Sequence, residues 1–361
     1  MPKKTSMSEF LRDSLNSTMG EGVAYKMNEA TPSTVKGYIS TGSTLLDIAI
    51  SNKKDGGIPL GRLTEITGVE SIGKSLMAAH VLADCQKQGG VAVLIDTENA
   101  ASMEILQKCG VNLDELVYLQ LGTTEEVFKA MESIIQKVRS ENKKVDKNIL
   151  IVWDSVAATS TGAEIAGDYG AHTIGLQARL ISQGLRKIIP FIGKYNVTLL
   201  FLNQLRTKIG VMFGDPMVTP GGKAIPYFAS VRVRLFKEAE LKEPKTKAVQ
   251  GVVVKAKVNK CKIAPPLRQA SFTIRFGRGI QDIESWLDPL ASFGEIQQGG
   301  GWYMYKEKRF RRADFVDFVQ KNGFEEELRD LLYDHLIIKI DEDNQAIEMV
   351  DEGEKLNGEE D

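Results

Sequence analysis

The chain has 361 residues, 42 % of them hydrophobic and 26 % charged, enough apolar material for one large core with room for a smaller unit beside it. Its most apolar runs, such as VTLLFLNQL, fall well short of the ~20 residues a membrane-spanning helix needs, and no apolar stretch follows the lysines of MPKKTSMSEFLRDSL, so a cytoplasmic protein is expected. The net charge of −2 is uneven: residues 341–361 hold ten acidic residues and one lysine, net −9, which leaves +7 on residues 1–340 and suits a body that meets a polyanion.

Residues 1–35 offer one short helix, in SEFLRDSLNS, and a link, too little to fold alone. From residue 36 to residue 279 short apolar runs alternate with helical periods. RLTEIT, GVAVLIDTE, NILIVWDS and NVTLLFLNQL read as buried strands, continuous in Val, Ile and Leu. Between them, KSLMAAHVLADCQKQ, TEEVFKAMESIIQKVRS and IGLQARLISQGLRKIIPFIGKY return their apolar residues at three and four. That is βαβ repetition and predicts an α/β fold with a mostly parallel sheet. After Ala229 the pattern becomes SVRVRLF, GVVVKAKVNKC and QASFTIRFG, which predicts antiparallel strands extending the same sheet. Residues 280–340 are expected to form a small α+β unit, with helices in ADFVDFVQKNG and EEELRDLLYDHL, and 341–361 an acidic disordered tail. Cys85, Cys109 and Cys261 are isolated and odd in number, which supports neither a disulfide framework nor a metal site.

GVESIGKS fits G-x-x-x-x-G-K-[ST] through Gly68, Val69, Glu70, Ser71, Ile72, Gly73, Lys74 and Ser75, after a predicted strand and at the head of a helix. Its backbone N–H groups can curl round phosphate oxygens, Lys74 adds charge at the β- and γ-phosphates, and Ser75 offers a hydroxyl to Mg²⁺. A carboxylate near the metal is needed at a strand end, and ILIVWDS supplies Asp154, with Ser155 next to it. A second must orient and deprotonate water, and LIDTEN supplies Asp96 and Glu98, although either could merely close a strand end. ATP with Mg²⁺ is the expected cofactor pair. The stretch LRTKIGVMFGDPMVTPGGKA has no clear period, and a loop that long inside a compact domain is functional or disordered.

ISTGSTLLDIAI, EITGVESIGKS, LIDTENA, WDSVAA, NQLRTKIGVMFGDP, TPGGKA, ASVRVRL and KCKIAPP follow in the order and nearly the spacing of the bacterial RecA recombinases and their phage-encoded relatives. The resemblance runs from about residue 39 to residue 279. It implies a RecA-type ATPase core, a homo-oligomeric helical filament on single-stranded DNA, and pairing and strand exchange with homologous duplex, without sequence preference. It also implies that residues 1–35 serve polymerisation. By similarity Glu98 is the glutamate that activates water and Gln204 the γ-phosphate sensor. Lys260 and Lys262 match two lysines that reach a neighbour's ATP, and an alternating strand would point both to one face.

For DNA, the resemblance implies Arg206, Thr207, Lys208, Ile209, Pro220, Gly221, Gly222 and Lys223 in the long loop, with Ile174, Arg179, Ser182 and Arg186 from the shorter one near EIAGDYGAHTIG and the helix after it. The types suit that role: arginine and lysine for phosphates, glycine for close approach, Ile174 and Ile209 as wedges between base steps. At the base end the chain departs from the family. Ile105 stands where a stacking tyrosine is usual and Ser102 where an acidic residue is, while Phe276, followed by Gly277, matches a second aromatic position close to the base that can take over part of that contact. Pro226 replaces an interface lysine. A nucleotide-gated single-stranded-DNA scaffold without strand exchange and a RecA-core DNA motor are the alternatives; neither the extension expected of a hexameric helicase nor the duplicated core expected of a circadian-type kinase is seen in this sequence.

Overall fold

The computed structural model of the protein describes residues 6–20, 22–29, 31–140, 147–168, 175–207, 217–243 and 245–339. Helix α1 (Met7–Met19) begins at a capping box in which Ser6 and Glu9 satisfy each other's backbone N–H groups. Strands β1 (Tyr38–Ile39) and β2 (Ile58–Pro59) pair around α2 (Thr44–Ser51), whose sequence TLLDIAIS is apolar on all sides and buried from Leu45 onward. The predicted alternation follows, with α4, β5 and α6 as elements the sequence did not indicate: β3 (Leu63–Gly68), α3 (Lys74–Lys87), β4 (Val91–Asp96), α4 (Met103–Lys108), β5 (Val117–Gln120), α5 (Thr124–Ser140), β6 (Ile149–Asp154), α6 (Gly162–Ala166), α7 (Leu176–Ile192) and β7 (Val197–Gln204).

A two-residue ribbon, β8 (Arg206–Thr207) with β9 (Met217–Val218), leads to α8 (Ala224–Phe228) and the long hairpin β10 (Val231–Lys242) and β11 (Val249–Cys261). Strands β12 (Gln269–Arg275) and β13 (Gly279–Gln281) follow, then α9 (Asp282–Ser292), the meander β14 (Gln297–Gly299), β15 (Trp302–Tyr305) and β16 (Lys308–Phe310), and helices α10 (Phe315–Asn322) and α11 (Glu325–Leu336).

The nine-stranded sheet runs β13-β12-β11-β10-β3-β7-β6-β4-β5. From β10 to β5 every neighbouring pair is parallel, so β10, expected as the first antiparallel strand, instead runs parallel to β3; β11 and β12 extend the sheet antiparallel as the sequence predicts, and the short β13 adds one more antiparallel strand. Alternate residues of the central strands feed two cores. Leu200 and Leu202 of β7 pack with α2 and α3 on one face, while Leu199 and Phe201 pack with α5 and α7 on the other. Burial on both faces is why these strands read as unbroken apolar runs.

The C-terminal elements add to the first core through Trp286, Leu290, Phe315 and Leu332. They are pinned to α2 by Asp282, which accepts from the Thr44 N–H at 2.7 Å and its hydroxyl at 2.6 Å. Arg268 closes the far side, donating to the carbonyls of Ile48 at 2.8 Å and Leu336 at 2.6 Å.

Candidate active site and nucleic-acid interface

Parallel strands end where their connecting helices begin, so β3, β4, β6 and β7 bring their C-terminal residues to one edge of the sheet. There the phosphate loop turns into α3 through Ser71 and Gly73, both at positive φ (57° and 98°). At φ 98° a side chain on Gly73 would be strained, and its Cβ would lie 2.4 Å from the tip of the Ile274 side chain, so glycine is favoured there. Lys74 is buried and donates to the carbonyls of Gly68 at 3.1 Å and Val69 at 2.7 Å, and burial lowers its pKa. Ile72 turns its side chain into the core, leaving backbone groups to the phosphate side, and Val69 is half exposed.

Ser75 and Asp154 line the same cavity, with the Ser75 hydroxyl on the side of the Asp154 carboxylate. Burial pushes the Asp154 carboxyl up to about 6, with the Ser75 hydroxyl pulling the other way. This pair of hard oxygens fits Mg²⁺, which takes one carboxylate, a hydroxyl and phosphate oxygens rather than a cage of side chains. Among the described residues no three His, Cys, Asp or Glu gather as a metal site.

Asp96 and Glu98 take different places. Asp96 is buried and accepts from the N–H groups of Glu98 and Ala101, each at 3.0 Å, and from the Tyr118 hydroxyl at 2.9 Å. It therefore folds the loop that carries Glu98. Glu98 is exposed to the cavity, where Oε1 accepts from the Ser155 hydroxyl and from Gln204 Nε2 at 3.4 Å. Asp96 and Ser155 were both legible at strand ends in the sequence, but their role as supports of Glu98 was not, because only the β4–β6 pairing, Asp96 opposite Asp154, brings them together.

These groups line a cavity of about 610 Å³ that runs from Glu70, Lys74, Ser75, Glu98, Asp154 and Gln204 to an apolar end. That end is formed by Ile105, Cys109, Phe276, Gly277 and Gly279, with Lys108 beside them. Ile105 and Phe276 stand half exposed at its lip. Ser102 is set apart: its hydroxyl caps α4 by accepting from the Ile105 N–H at 3.3 Å, and it lines a smaller adjoining cavity of about 130 Å³.

Lys260 and Lys262 do not line this cavity. Lys260 pairs in register with Arg232, and Arg232 with Glu65, three residues before Gly68, which places it about 10 Å down the sheet from the phosphate loop. Its ammonium donates to the carbonyls of Pro226 at 2.6 Å and Tyr227 at 2.9 Å. The expectation of one shared strand face needs correction: β11 ends at Cys261, after a bulge near Arg232, so Lys262 lies beyond the strand.

Of the DNA candidates, Arg179, Ser182 and Arg186 share one face of α7, with Arg186 donating to the Ser182 hydroxyl at 2.9 Å. Gly221 and Gly222, both at positive φ, pack against that helix, and a Cβ on Gly222 would lie 2.8 Å from that of Ala178. Lys223 and Arg206 are exposed, Pro220 sits at the loop's return, and Arg206 and Thr207 pair with Val218 and Met217. Ile174, Lys208 and Ile209 lie outside the described residues.

A glycine loop opening a helix beside a strand-end carboxylate, on a mainly parallel sheet, makes this a P-loop nucleotide-binding protein of the α/β class. Comparison with known proteins narrows that class. The family described as RecA N-terminal domain matches residues 7–281. The chain is 41 % identical over 309 residues to "Protein RecA" of Aquifex pyrophilus, covering 86 % of this chain and 85 % of that one. It is 37 % identical over 337 residues to that of Trichodesmium erythraeum (92 % and 89 %) and 38 % over 332 residues to that of Bacillus cereus strain B4264 (91 % and 93 %). The chain belongs to the RecA family of recombinases.

Proposed function

We propose that the chain binds ATP with Mg²⁺ between successive protomers of a filament on single-stranded DNA, hydrolyses it in response to that DNA, and exchanges strands with homologous duplex in the cytoplasm. The observation that carries this reading is the position of Gln204. Its side chain lies against Glu98 in the cavity, and its backbone is the root of the loop that returns at Gly221 and Gly222. A side chain that bonds a terminal phosphate and loses that bond on hydrolysis gives the loop two states.

In this reading Glu98, oriented by Ser155, takes the proton of the attacking water, and Lys74 with the loop N–H groups holds the phosphates. Mg²⁺ on Ser75 and Asp154 would neutralise charge on the β- and γ-oxygens. Ile105 and Phe276 clasp the base by apolar contact. Lys260 and Lys262, remote from their own chain's cavity, serve the neighbour's, as arginine fingers do in trans. DNA lies along Arg179, Ser182 and Arg186, the loop stem and residues 220–223. Residues 1–35 act in polymerisation, 36–279 as the ATPase core and 280–340 as an accessory unit.

The test is joint-molecule formation between circular single strands and homologous linear duplex with ATP. Joint molecules that require homology, and that Lys74→Ala abolishes, are expected. DNA binding without joint molecules would leave only a nucleotide-gated scaffold.

A further inference from the structure

Glu65 lies in the middle of β3, in the sequence LTEITG, and is fully buried. A carboxylate there is costly unless both oxygens are engaged. They are: Oε2 accepts from Arg232 Nε at 2.6 Å and Oε1 from Asn203 Nδ2 at 3.1 Å. Arg232 faces Glu65 across β10, and Asn203 lies on β7 two positions beyond Phe201, which faces Glu65 on the other side.

Asn203, itself fully buried, uses the rest of its amide on the two flanks of the DNA loop. Its Nδ2 also donates to the Pro220 carbonyl at 3.0 Å, and its Oδ1 accepts from the Gln204 N–H at 3.0 Å. One side chain thus fixes the residue that leaves β7 and the residue at which the loop returns, with the β8–β9 ribbon between them. Glu65 holds that amide in its orientation.

We infer that Glu65 is a positioning residue for DNA-stimulated hydrolysis, acting through Asn203 on the root of the DNA loop. The inference rests on the ATPase reading above and adds to it a residue that touches neither nucleotide nor DNA. With the carboxylate gone, Asn203 loses an acceptor that orients it, and the register between Gln204 and Pro220 loosens. The phosphate loop keeps its own bonds, because Lys74 donates to the carbonyls of Gly68 and Val69 and not to Glu65, Asn203 or Arg232. Coupling to DNA should therefore fall while nucleotide affinity holds.

Two variants test this. Glu65→Gln keeps the shape but offers one oxygen where two were used. Glu65→Leu/Arg232→Leu removes both charges together, so no lone charge is left behind. ATP turnover at saturating single-stranded DNA is expected to fall about threefold to tenfold in the first and at least about tenfold in the second, with the KM for ATP within about twofold of wild type. Affinity for a fluorescent ATP analogue without DNA should be unchanged. A purely structural role predicts lower thermal midpoints but wild-type turnover per folded molecule, which would overturn the inference. Should the double variant fail to fold, the Glu65→Gln turnover decides alone. A wild-type chain whose turnover single-stranded DNA does not stimulate would overturn the ATPase reading itself.

Discussion

Asp47 is a buried carboxyl in the core, accepting from the Ser40 hydroxyl at 2.6 Å, the Thr41 N–H at 2.8 Å and the Thr41 hydroxyl at 2.7 Å. Burial nevertheless pushes it up to about 7 from an ordinary 3.8, with nearby Asp282 adding to the rise. A folded-state value above the unfolded one means that the folded chain holds a proton which the unfolded chain releases. The stability this contributes is full below the unfolded value of 3.8 and is lost as pH rises through about 7. Asp47→Asn can keep Oδ1 as acceptor for Thr41 and donate from Nδ2 to the Ser40 oxygen. Its urea midpoint should vary less between about pH 4 and 8 than that of wild type, the gap opening in the variant's favour on the alkaline side. Parallel profiles would show that Asp47 does not titrate in this range.

Helix α1 shows what one element can demand of a partner. Polar bonds tie it to the next segment, with Asn16 Oδ1 accepting from the N–H groups of Val23 at 3.1 Å and Ala24 at 2.8 Å, yet Met7, Phe10, Leu11 and Leu15 are exposed and none of its described residues is buried. An apolar stripe at this spacing needs a surface to cover it, and in a filament the neighbouring protomer offers one. Phe10→Glu/Leu11→Glu should leave the thermal midpoint within about 2 °C while abolishing filaments seen by light scattering, because the stripe contributes little to the chain's own core. Filaments of wild-type length would remove α1 from assembly. The elements also show where sequence sufficed. Strands β3, β4, β6 and β7 were legible because both faces are buried, and α5 because its period is strong. Strand β5, VYLQ, was missed as a mostly exposed edge strand without a continuous apolar run. Helix α2 was missed because TLLDIAIS, buried all round, has no polar face to mark a period, and α4 because it has only six residues. At the candidate site, Lys74, Ser75, Asp154 and Glu98 followed from motif and strand ends, and Gln204 from resemblance. The roles of Ser155, Asn203 and Glu65 depend on strand order and register, which no local pattern records.

Across the whole molecule, charge is unevenly divided. Residues 341–361 carry −9 against +7 elsewhere, and the fold sets how much basic surface the C-terminal unit can offer them. Of Lys306, Lys308, Arg309, Arg311 and Arg312, Lys306 already pairs with Glu327 at 2.6 Å and Arg312 with Asp288, while Arg311 lies over the Trp302 ring at 4.8 Å. Deleting 341–361 should therefore tighten duplex binding by severalfold at low salt, with the gain shrinking as salt rises, as filter binding over a salt series would measure. Unchanged affinity and slope would leave the tail no such role. If each cavity is completed by the next chain's lysines, as proposed, the enzyme is the filament. Glu98→Gln and Lys260→Ala/Lys262→Ala should each be nearly inactive as ATPases while still assembling on single-stranded DNA. Co-assembly of the two is first established by microscopy of labelled chains. Mixed one to one, random neighbours then place an intact glutamate against intact lysines at about a quarter of the interfaces, so about a quarter of wild-type turnover should return. A mixing curve that stays flat at every ratio in co-assembled filaments would contradict the shared site.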